Sequence, residues 1–377
     1  MAIDSEVALA RAVLIHGPVS RSALTSRLSL SPASLTRLAK PLLDSGVLVE
    51  LDDVVDGSIG RPSRPLDIAP DIATFVGVKL TGDRLYAVAT TIRAEPLAWF
   101  EEPITDPSPD AVVALVVRIV RSLGATDLSG VGVSVGGYVR DDLISFAPFL
   151  GWTDVDLVSP LVAALAVPVT VDNDVAALAE AERWFGVGRE LDGFAVITIG
   201  VGVGYGLVVD GQVVRTADAG TGTGGHIPLS PNGPVCPEGH RGCSRAFLTS
   251  GSIAAQVSAA LGRTIDYDDV LELAAAGQPA ARTVVDAAGD ALGTLIALAA
   301  NLTLQSSVVL AGEGIGLYEL VADRVAAAID AGRDRRAEPV TVYPDTAGFP
   351  AWARGAAAVA IQQALLRIAA GRRRRGA

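Results

Sequence analysis

Cysteine is scarce in this chain of 377 residues, which has only two. So few cysteines exclude a disulfide framework, and in a reducing compartment they serve as thiols or metal ligands more often than as a disulfide. Both lie in the segment 221–243, "TGTGGHIPLSPNGPVCPEGHRGC", together with two of the three histidines. Cys236 and Cys243 lack the Cys-x-x-Cys spacing of a redox pair. A metal site, a sugar pocket and a plain loop remain as interpretations of this segment.

Long uninterrupted apolar runs are also missing. The first residues, "MAIDSEVALARAVLIHGP", are acidic where a signal peptide is basic. The most apolar stretch, 291–310, contains Asn301 and Gln305. We therefore expect a buried helix that runs into a strand, rather than a membrane span. These features predict a cytoplasmic chain with no membrane partner.

Positive charge is in deficit, because the formal net charge is −12. Phosphate contact needs Lys and Arg, so nucleic-acid binding by the chain as a whole is disfavoured. The segment 11–43 is the exception, since it carries four Arg, one Lys and no acidic residue, a net charge of +5. Either a solvated helical face or a DNA contact would produce this local excess.

Apolar periodicity predicts three short helices in this N-terminal part. "SEVALARAVLIHG" places its apolar residues on one helical face, and a Gly-Pro pair ends it. "SRSALTSRLSL" is typical of a second helix, capped by Ser20 or Ser22. The third helix begins after Ser31 as N-cap, with Pro32 at its first position.

The third helix has an inner and an outer face. Leu35, Leu38 and Ala39 would face inward. The outward side chains are short polar or basic groups of the kind that reach base edges and phosphates. They are Ser34, Thr36, Arg37 and Lys40. Pro41 should bend or end this helix near Lys40.

A hairpin follows the third helix. Its parts are "GVLVEL", a tip rich in Asp and Gly, and "GRPSRPLDI". Three helices and a basic-tipped hairpin predict a winged helix-turn-helix, with a small helical domain for protein contacts as the alternative. From about Asp71 onward, strands rich in Val, Ile and Gly alternate with Ala-rich helices, which indicates an α/β fold.

The chain resembles the ROK family over nearly its whole length. The matching segments are "GRP", "APFLGW", "VTVDNDVAALAEAERWFGVGR", "GGHIPL", "CPEGHRGC" and "WARGAAAVAIQ". The resemblance implies a winged helix-turn-helix over residues 1–70. It also implies a two-lobed, actin-like (ribonuclease H-like) ROK domain over 71–377. By the same resemblance, Arg61 and Arg64 would enter the minor groove of DNA.

ROK proteins are sugar kinases or regulators that keep the kinase fold as a sugar sensor, and the phosphate-binding segments distinguish the two. Asp174 stands where the kinases have their catalytic base, although an N-cap of a helix over 175–185 is the alternative. In the first phosphate turn, "KLTGD", Lys79 replaces an Asp and Asp83 replaces a Thr; in the second, Val201 replaces a Thr. Asp83 would repel phosphates. The resemblance therefore implies a vestigial base, no bound ATP and no kinase activity.

The predicted effector site combines retained and replaced positions. By the resemblance, Asn173, Asp174 and His226 are retained sugar-binding residues. The replaced positions are Phe149, Thr223 and Arg245, where the family has Asn, Glu and Glu. Since carboxylates bind sugar hydroxyls by charge-assisted hydrogen bonds, their loss would weaken or redirect binding. Arg245 would favour a phosphorylated or acidic sugar, or would face solvent without a ligand.

The opening segment also matches the family's structural zinc loop. The ligand positions fall on His226, Cys236, Glu238 and Cys243, with Glu238 in place of a Cys. A carboxylate is a permissible zinc ligand, and His240 is a possible substitute. A metal-free loop with two buried thiols is the alternative.

These features together predict a transcriptional regulator, most simply a repressor, with operator DNA and a sugar or sugar derivative as partners. The recognition geometry of helix-turn-helix proteins and the family imply a homodimer or homotetramer. The main alternative is an active ATP-dependent sugar kinase with an added DNA-binding domain. A regulator that answers to a protein partner is a third possibility.

Overall fold

The computed structural model describes residues 5–52, 64–125 and 127–373, with side chains up to residue 367. The N-terminal part, residues 5–52 and 64–68, is called the head. It has three helices and a two-stranded antiparallel sheet. They are α1 (Ser5–His16), α2 (Arg21–Arg27), α3 (Pro32–Asp44), β1 (Leu48–Glu50) and β2 (Leu66–Ile68). This is the order expected of a winged helix-turn-helix.

Serine caps begin the second and third helices as predicted. Ser20 accepts a hydrogen bond from the N–H of Ala23 at 3.2 Å, and Ser31 accepts one from the N–H of Ser34 at 3.1 Å. These bonds satisfy N–H groups that have no partner within a helix.

The prediction that Pro41 ends α3 near Lys40 is wrong, and a bend there stays a prediction. The helix continues to Asp44 with Pro41 inside it. Proline removes one backbone hydrogen bond and crowds the preceding turn. Leu38 and Leu42 are buried on either side of it, so their packing into the head core offsets that loss.

The first lobe of the larger domain is built on a five-stranded sheet of order β10-β6-β3-β4-β5. Its strands are β3 (Thr74–Leu80), β4 (Arg84–Thr91), β5 (Pro96–Pro103), β6 (Leu128–Val135) and β10 (Val169–Asn173). Helices α4 (Pro109–Ser122) and α5 (Val158–Leu165) cover one face. A small sheet, β7 (Tyr138–Arg140), β8 (Leu143–Ala147) and β9 (Trp152–Val155), completes this lobe.

The second lobe is built on another five-stranded sheet, of order β13-β12-β11-β14-β15. Its strands are β11 (Phe194–Ile199), β12 (Val203–Val209), β13 (Gln212–Val213), β14 (Ser307–Ala311) and β15 (Thr341–Pro344). One face carries α7 (Ser244–Leu248), α8 (Ser250–Leu261), α9 (Tyr267–Ala275), α10 (Pro279–Thr303) and α11 (Gly316–Ala331). The α/β prediction with two lobes is confirmed.

Helices α6 (Asp174–Phe185) and α12 (Phe349–Arg373) lie between the two sheets. A Cβ atom on Gly77 or Gly132 would overlap the backbone of α12, so glycine allows this helix to rest directly on β3 and β6. On the other side, Leu178 of α6 and Trp352 of α12 belong to the core under β11 and β14. The same two helices therefore contact both lobes.

The head shares a hydrophobic core with the larger domain. The core of α1, α2 and α3 continues into Trp184 at the end of α6 and into Ile361 and Leu365 of α12. The boundary at residue 70 remains a prediction; β3 begins at Thr74.

The apolar stretch 291–310 forms the end of α10 and then β14, as predicted. Within the described ranges, α10 is the one helix long and apolar enough to cross a membrane, with a mean hydropathy of 1.4 over its most apolar window. In this fold 61% of that window is buried, which is typical of a core helix.

Candidate functional site

The ends of parallel strands position the residues between the two lobes, a region called the cleft below. Strands β3, β6 and β10 run parallel, so their carboxyl ends meet at one edge of the first sheet. Lys79, the Gly136-Gly137 turn and Asp174 lie at that edge. In the second lobe, β11 and β14 are also parallel, and a glycine-rich turn follows each of them.

Asp174 is paired with a cation from its own chain. Its Oδ2 forms an ion pair with Nζ of Lys79, and both side chains are largely buried. Its Oδ1 accepts hydrogen bonds from the N–H of Val175 at 2.8 Å and from Nδ2 of Asn173 at 3.3 Å. The Lys79 ammonium also lies 5.1 Å from the ring centroid of Trp352. Both carboxylate oxygens are therefore engaged within the protein.

Asn173, and not Asp174, is the N-cap of α6. Its Oδ1 accepts a hydrogen bond from the N–H of Ala176 at 3.1 Å, and its Nδ2 donates to the carbonyl of Gly137 at 2.8 Å. The alternative role of Asp174 as cap is thus wrong, because the helix already begins at Asp174. Asn173 is buried and holds the β6 turn to the start of α6.

The other predicted effector residues lie on loops around this point. Phe149 is 50% exposed and lies beside Gly136, close to Asp174. The loop before Thr223 reaches Asn173 through Gly220, which adopts a φ of 83°.

The remaining effector residues lie on the segment 221–245. Thr223 is exposed and His226 is half-buried at the two ends of one short 3-10 turn. Arg245 forms an ion pair with Glu238 at 3.0 Å, and both side chains are partly exposed.

The cysteine and histidine side chains of this segment converge. His226, Cys236 and Cys243 place one ligand atom each within 4.8 Å of one another. His240 lies beside two of them, because its Nδ1 is 3.0 Å from Nδ1 of His226 and 3.6 Å from Sγ of Cys236. Burial raises the pKa of the Cys243 thiol. The group has the donor types that zinc prefers.

Glu238 is not one of these three converging residues, although a hydrogen bond from the Cys236 thiol helps to lower its pKa, and its predicted place as a ligand stays a prediction. Its carboxylate faces Arg245, and the side chain is 41% exposed. His240 occupies the corresponding position beside Cys236 because a tight turn at Gly239, with a φ of 90°, returns the chain toward the cysteine. In the sequence, the position of His240 four residues after Cys236 was the feature that pointed to it as a ligand.

On α3, the predicted DNA-contacting residues are accessible. Thr36, Arg37 and Lys40 are exposed. Ser34 is half-buried, and its hydroxyl accepts a hydrogen bond from Ser31 at 2.9 Å, within the helix cap. Two cations and one hydroxyl therefore point away from the head core.

The structure describes the two strands of the predicted wing, β1 and β2, but not the residues between them at its tip. Arg64, next to β2, is exposed. Arg61 lies outside the described residues.

Several of the cations in 11–43 are paired or half-buried within the protein. Arg21 and Arg27 form ion pairs with glutamates at 2.5 and 3.4 Å. Arg11 is half-buried against α6, where burial lowers its pKa. The local excess of +5 is thus only partly available to DNA, and Arg37 and Lys40 are its exposed part on α3.

A charge cluster that the sequence did not reveal lies along α6, largely buried except for Arg215 at its exposed edge. Glu180 accepts hydrogen bonds from Arg183 at 2.5 Å and from Gln362 of α12 at 2.7 Å. Arg215 bridges Glu180 at 3.5 Å and Asp172 at 2.8 Å. Burial raises the pKa of Asp172, and the Arg215 guanidinium opposes that shift. The cluster ties α6, α12 and the loop after β13 together.

Comparisons with known proteins agree with this architecture. The chain is 24% identical to the xylose repressor of Bacillus subtilis over 273 residues, 71% of each chain. It is 25% identical to the DNA-binding transcriptional dual regulator NagC of Escherichia coli over 328 residues, 82% of this chain and 80% of that protein.

Solved structures show the same likeness. A ROK family transcriptional regulator, a homolog of E. coli MLC, matches with a TM-score of 0.80 and 25% identity, over 96% of both chains. A ROK family glucokinase from Streptomyces griseus, solved with glucose and AMPPNP, matches with a TM-score of 0.67 and 26% identity over 77% of this chain and all of that one. The family model described as "ROK family" matches residues 77–363. With that match across most of its length, the chain belongs to the ROK family.

Proposed function

We propose that the protein is a sequence-specific DNA-binding transcriptional regulator, most simply a repressor, controlled by a sugar or sugar derivative. The observation that carries the proposal is the common core of the head and the ROK domain. Trp184, at the end of α6, packs with the head helices, while Asp174 begins the same helix in the cleft. A ligand that shifts α6 would therefore bear directly on the head.

The state of Asp174 argues against sugar phosphorylation. A general base must accept a proton from the attacking hydroxyl. The Lys79 ammonium already neutralises this carboxylate in a largely buried pair. The pair favours a binding role for Asp174 over a catalytic one.

The charge near the proposed pocket favours an uncharged sugar over a sugar phosphate. Arg245 is the cation that would attract a phosphate, and the Glu238 carboxylate balances it at 3.0 Å. Phe149 offers an exposed aromatic face beside Asp174, on which an apolar sugar face could stack.

We further propose a structural zinc ion held by two His and two Cys. The set would be His226, Cys236, His240 and Cys243, whose donor types suit a closed tetrahedral site. Such an ion would fix the segment that carries His226 beside the effector pocket.

The remaining parts of the proposal concern assembly and location. Residues 1–70 would form the DNA-binding domain and 71–377 the effector domain. Two such chains would place two heads on neighbouring half-sites, as helix-turn-helix recognition requires. The protein would act in the cytoplasm, where the operator is.

Fluorescence anisotropy on DNA from upstream of the gene and its neighbours tests the function. Binding is measured at two salt concentrations, with and without a panel of neutral sugars and sugar phosphates. We expect salt-sensitive, sequence-specific binding that one neutral sugar changes, because linkage makes the two ligands affect each other equally. Specific DNA binding that no sugar alters would contradict the sensor part and favour a protein partner.

An ADP-release assay over common hexoses tests the kinase alternative. We expect no turnover above a sample without enzyme. Turnover with any hexose would show that the Lys79–Asp174 pair opens in the presence of substrate, and the kinase would become the preferred function.

A further inference from the structure

Two glycine-rich turns of the second lobe meet at one edge of its sheet. Strand β11 ends at Ile199 and is followed by the turn 200–202; β14 ends at Ala311 and is followed by the loop 312–314. Because β11 and β14 are adjacent and parallel, with Thr198 opposite Ala311, the two turns lie side by side. This edge is formed by the carboxyl ends of parallel strands, where open α/β sheets bind their ligands.

The side chain of Glu313 fills the space between these turns. Its Oε1 accepts a hydrogen bond from the backbone N–H of Val201 at 2.7 Å. A Cβ atom on Gly200 would overlap the Glu313 carboxylate, so only glycine at 200 permits the approach. A backbone turn that presents an N–H to a carboxylate is a turn suited to an oxyanion.

The loop that carries Glu313 is itself held against the first turn. The N–H of Gly314 donates to the carbonyl of Ile199 at 2.9 Å. Gly312 adopts a φ of 104°, and a Cβ there would overlap the same carbonyl. The carboxylate is thus delivered to the turn by a tethered, closely packed loop.

We propose that Glu313 is a built-in occupant of a phosphate-binding turn, and that it keeps nucleoside di- and triphosphates out of this cleft. A tethered carboxylate competes at a high effective concentration with any oxyanion in solution. Its charge also repels a phosphate that approaches the adjacent N–H.

The opposite side of the cleft supports this assignment. Lys79, the nearby buried cation, is engaged by Asp174 and is not available to a phosphate. Asp83, on the turn after β3, adds a further negative charge. Burial raises the pKa of Tyr86, and the negative charges of Glu101, Asp83 and Glu313 add to that shift.

Calorimetric titration of the full-length protein tests the proposal, with Mg-ADP and inorganic pyrophosphate as probes. Glu313→Ala removes the carboxylate, and Glu313→Gln keeps its size and its acceptor oxygen. Glu319→Ala changes another exposed glutamate, within the first turn of α11, and is the matched control. We expect Glu313→Ala to bind both probes at least tenfold more tightly than the unchanged protein. Glu313→Gln should gain less, because its amide still fills the turn, and Glu319→Ala should gain nothing.

Three results would overturn the proposal. They are no gain in Glu313→Ala, an equal gain in Glu319→Ala, and a gain for adenosine that matches the gain for Mg-ADP. Circular dichroism and urea denaturation of the same preparations show that each variant is folded. The titration involves no sugar or DNA. Its result can therefore be interpreted even if the proposed regulatory function fails.

Discussion

The pair of Lys79 and Asp174 shows how one residue changes the chemistry of a cleft. Each charge is largely buried, and each is stable there because the other is present. Both oxygens of the Asp174 carboxylate are engaged by groups of the same chain. The lysine at position 79 therefore determines what the Asp174 carboxylate contacts.

We expect Lys79→Met to lower the free energy of unfolding by about 3 kcal/mol, because it leaves a buried carboxylate unpaired. The double variant Lys79→Met/Asp174→Asn should recover most of that loss. Urea denaturation followed by circular dichroism measures both. Arg84→Ala, which breaks the more exposed Arg84–Glu101 pair, should cost less than about 1 kcal/mol. Additive losses in the double variant would show that the pair does not act as a unit.

The metal ligands are a second prediction for single residues. We expect the purified protein to contain about one zinc per chain, if four ligands close a structural site. His240→Ala should lose most of this zinc, whereas Glu238→Ala should keep it, because Glu238 faces Arg245. Elemental analysis after dialysis against a weak chelator measures the content. If His240→Ala keeps its zinc and Glu238→Ala loses it, Glu238 is the fourth ligand.

Among the elements, α6 carries most of the connections. It begins in the cleft, packs against α12 in its middle, and ends in the head core. Its last turn contains Glu182, whose carboxylate accepts a hydrogen bond from the N–H of Val187 at 3.1 Å. Burial raises the pKa of Glu182, and the nearby end of the helix dipole also disfavours a negative charge.

The raised pKa of Glu182 predicts a pH dependence of stability. A carboxyl whose folded-state pKa is raised contributes fully at pH values below its unfolded pKa, and that contribution is lost as the pH rises through the folded pKa. Glu182→Gln keeps the acceptor and cannot ionise. The stability of the unchanged protein relative to Glu182→Gln should therefore fall as the pH rises above about 4.3, the ordinary glutamate value, and then level off.

Urea denaturation at several pH values checks this dependence. Glu190→Gln is a control of opposite sign, because His16 and Arg27 lower the pKa of the exposed Glu190 carboxyl, whose contribution is therefore lost as the pH falls. A difference between the unchanged protein and Glu182→Gln that does not vary with pH would contradict the prediction.

Some features of single elements were open to prediction and others were not. Ser20 and Ser31 cap their helices as local sequence indicated, because a cap involves neighbouring residues only. Pro41 breaks the local rule, since buried leucines around it hold α3 together. At the start of α6, either Asn173 or Asp174 could have been the N-cap. Asn173 is the cap, and its side chain also donates a hydrogen bond to the carbonyl of Gly137, which is distant in the sequence.

At the scale of the whole molecule, the head and the effector domain form one packed unit. DNA recognition should then depend on few exposed cations, since Arg11, Arg21 and Arg27 are engaged elsewhere. The slope of log affinity against log salt is proportional to the number of phosphates that the protein contacts. It therefore reports how many cations on each head contact DNA and how many heads bind.

We expect Arg37→Ala/Lys40→Ala to reduce the slope of log affinity against log salt. If both residues contact phosphate, the slope falls by roughly 1.8 for one bound head and by roughly 3.6 for two. Anisotropy over a salt series measures it. Arg263→Ala, an exposed cation in the second lobe, should leave the slope unchanged. An unchanged slope in the double variant would remove α3 from the DNA interface.

The sequence by itself determined the α/β class, the three helices of the head and the family resemblance, because periodicity, caps and short motifs involve residues close together in the chain. Only the tertiary structure decided which charges meet. Lys79 meets Asp174 from 95 residues away, and Val201 meets Glu313 from 112. It also decided that His240 lies beside Cys236 while Glu238 pairs with Arg245, and that Arg11 is half-buried against α6. These pairings depend on strand order and helix packing, which no local pattern records.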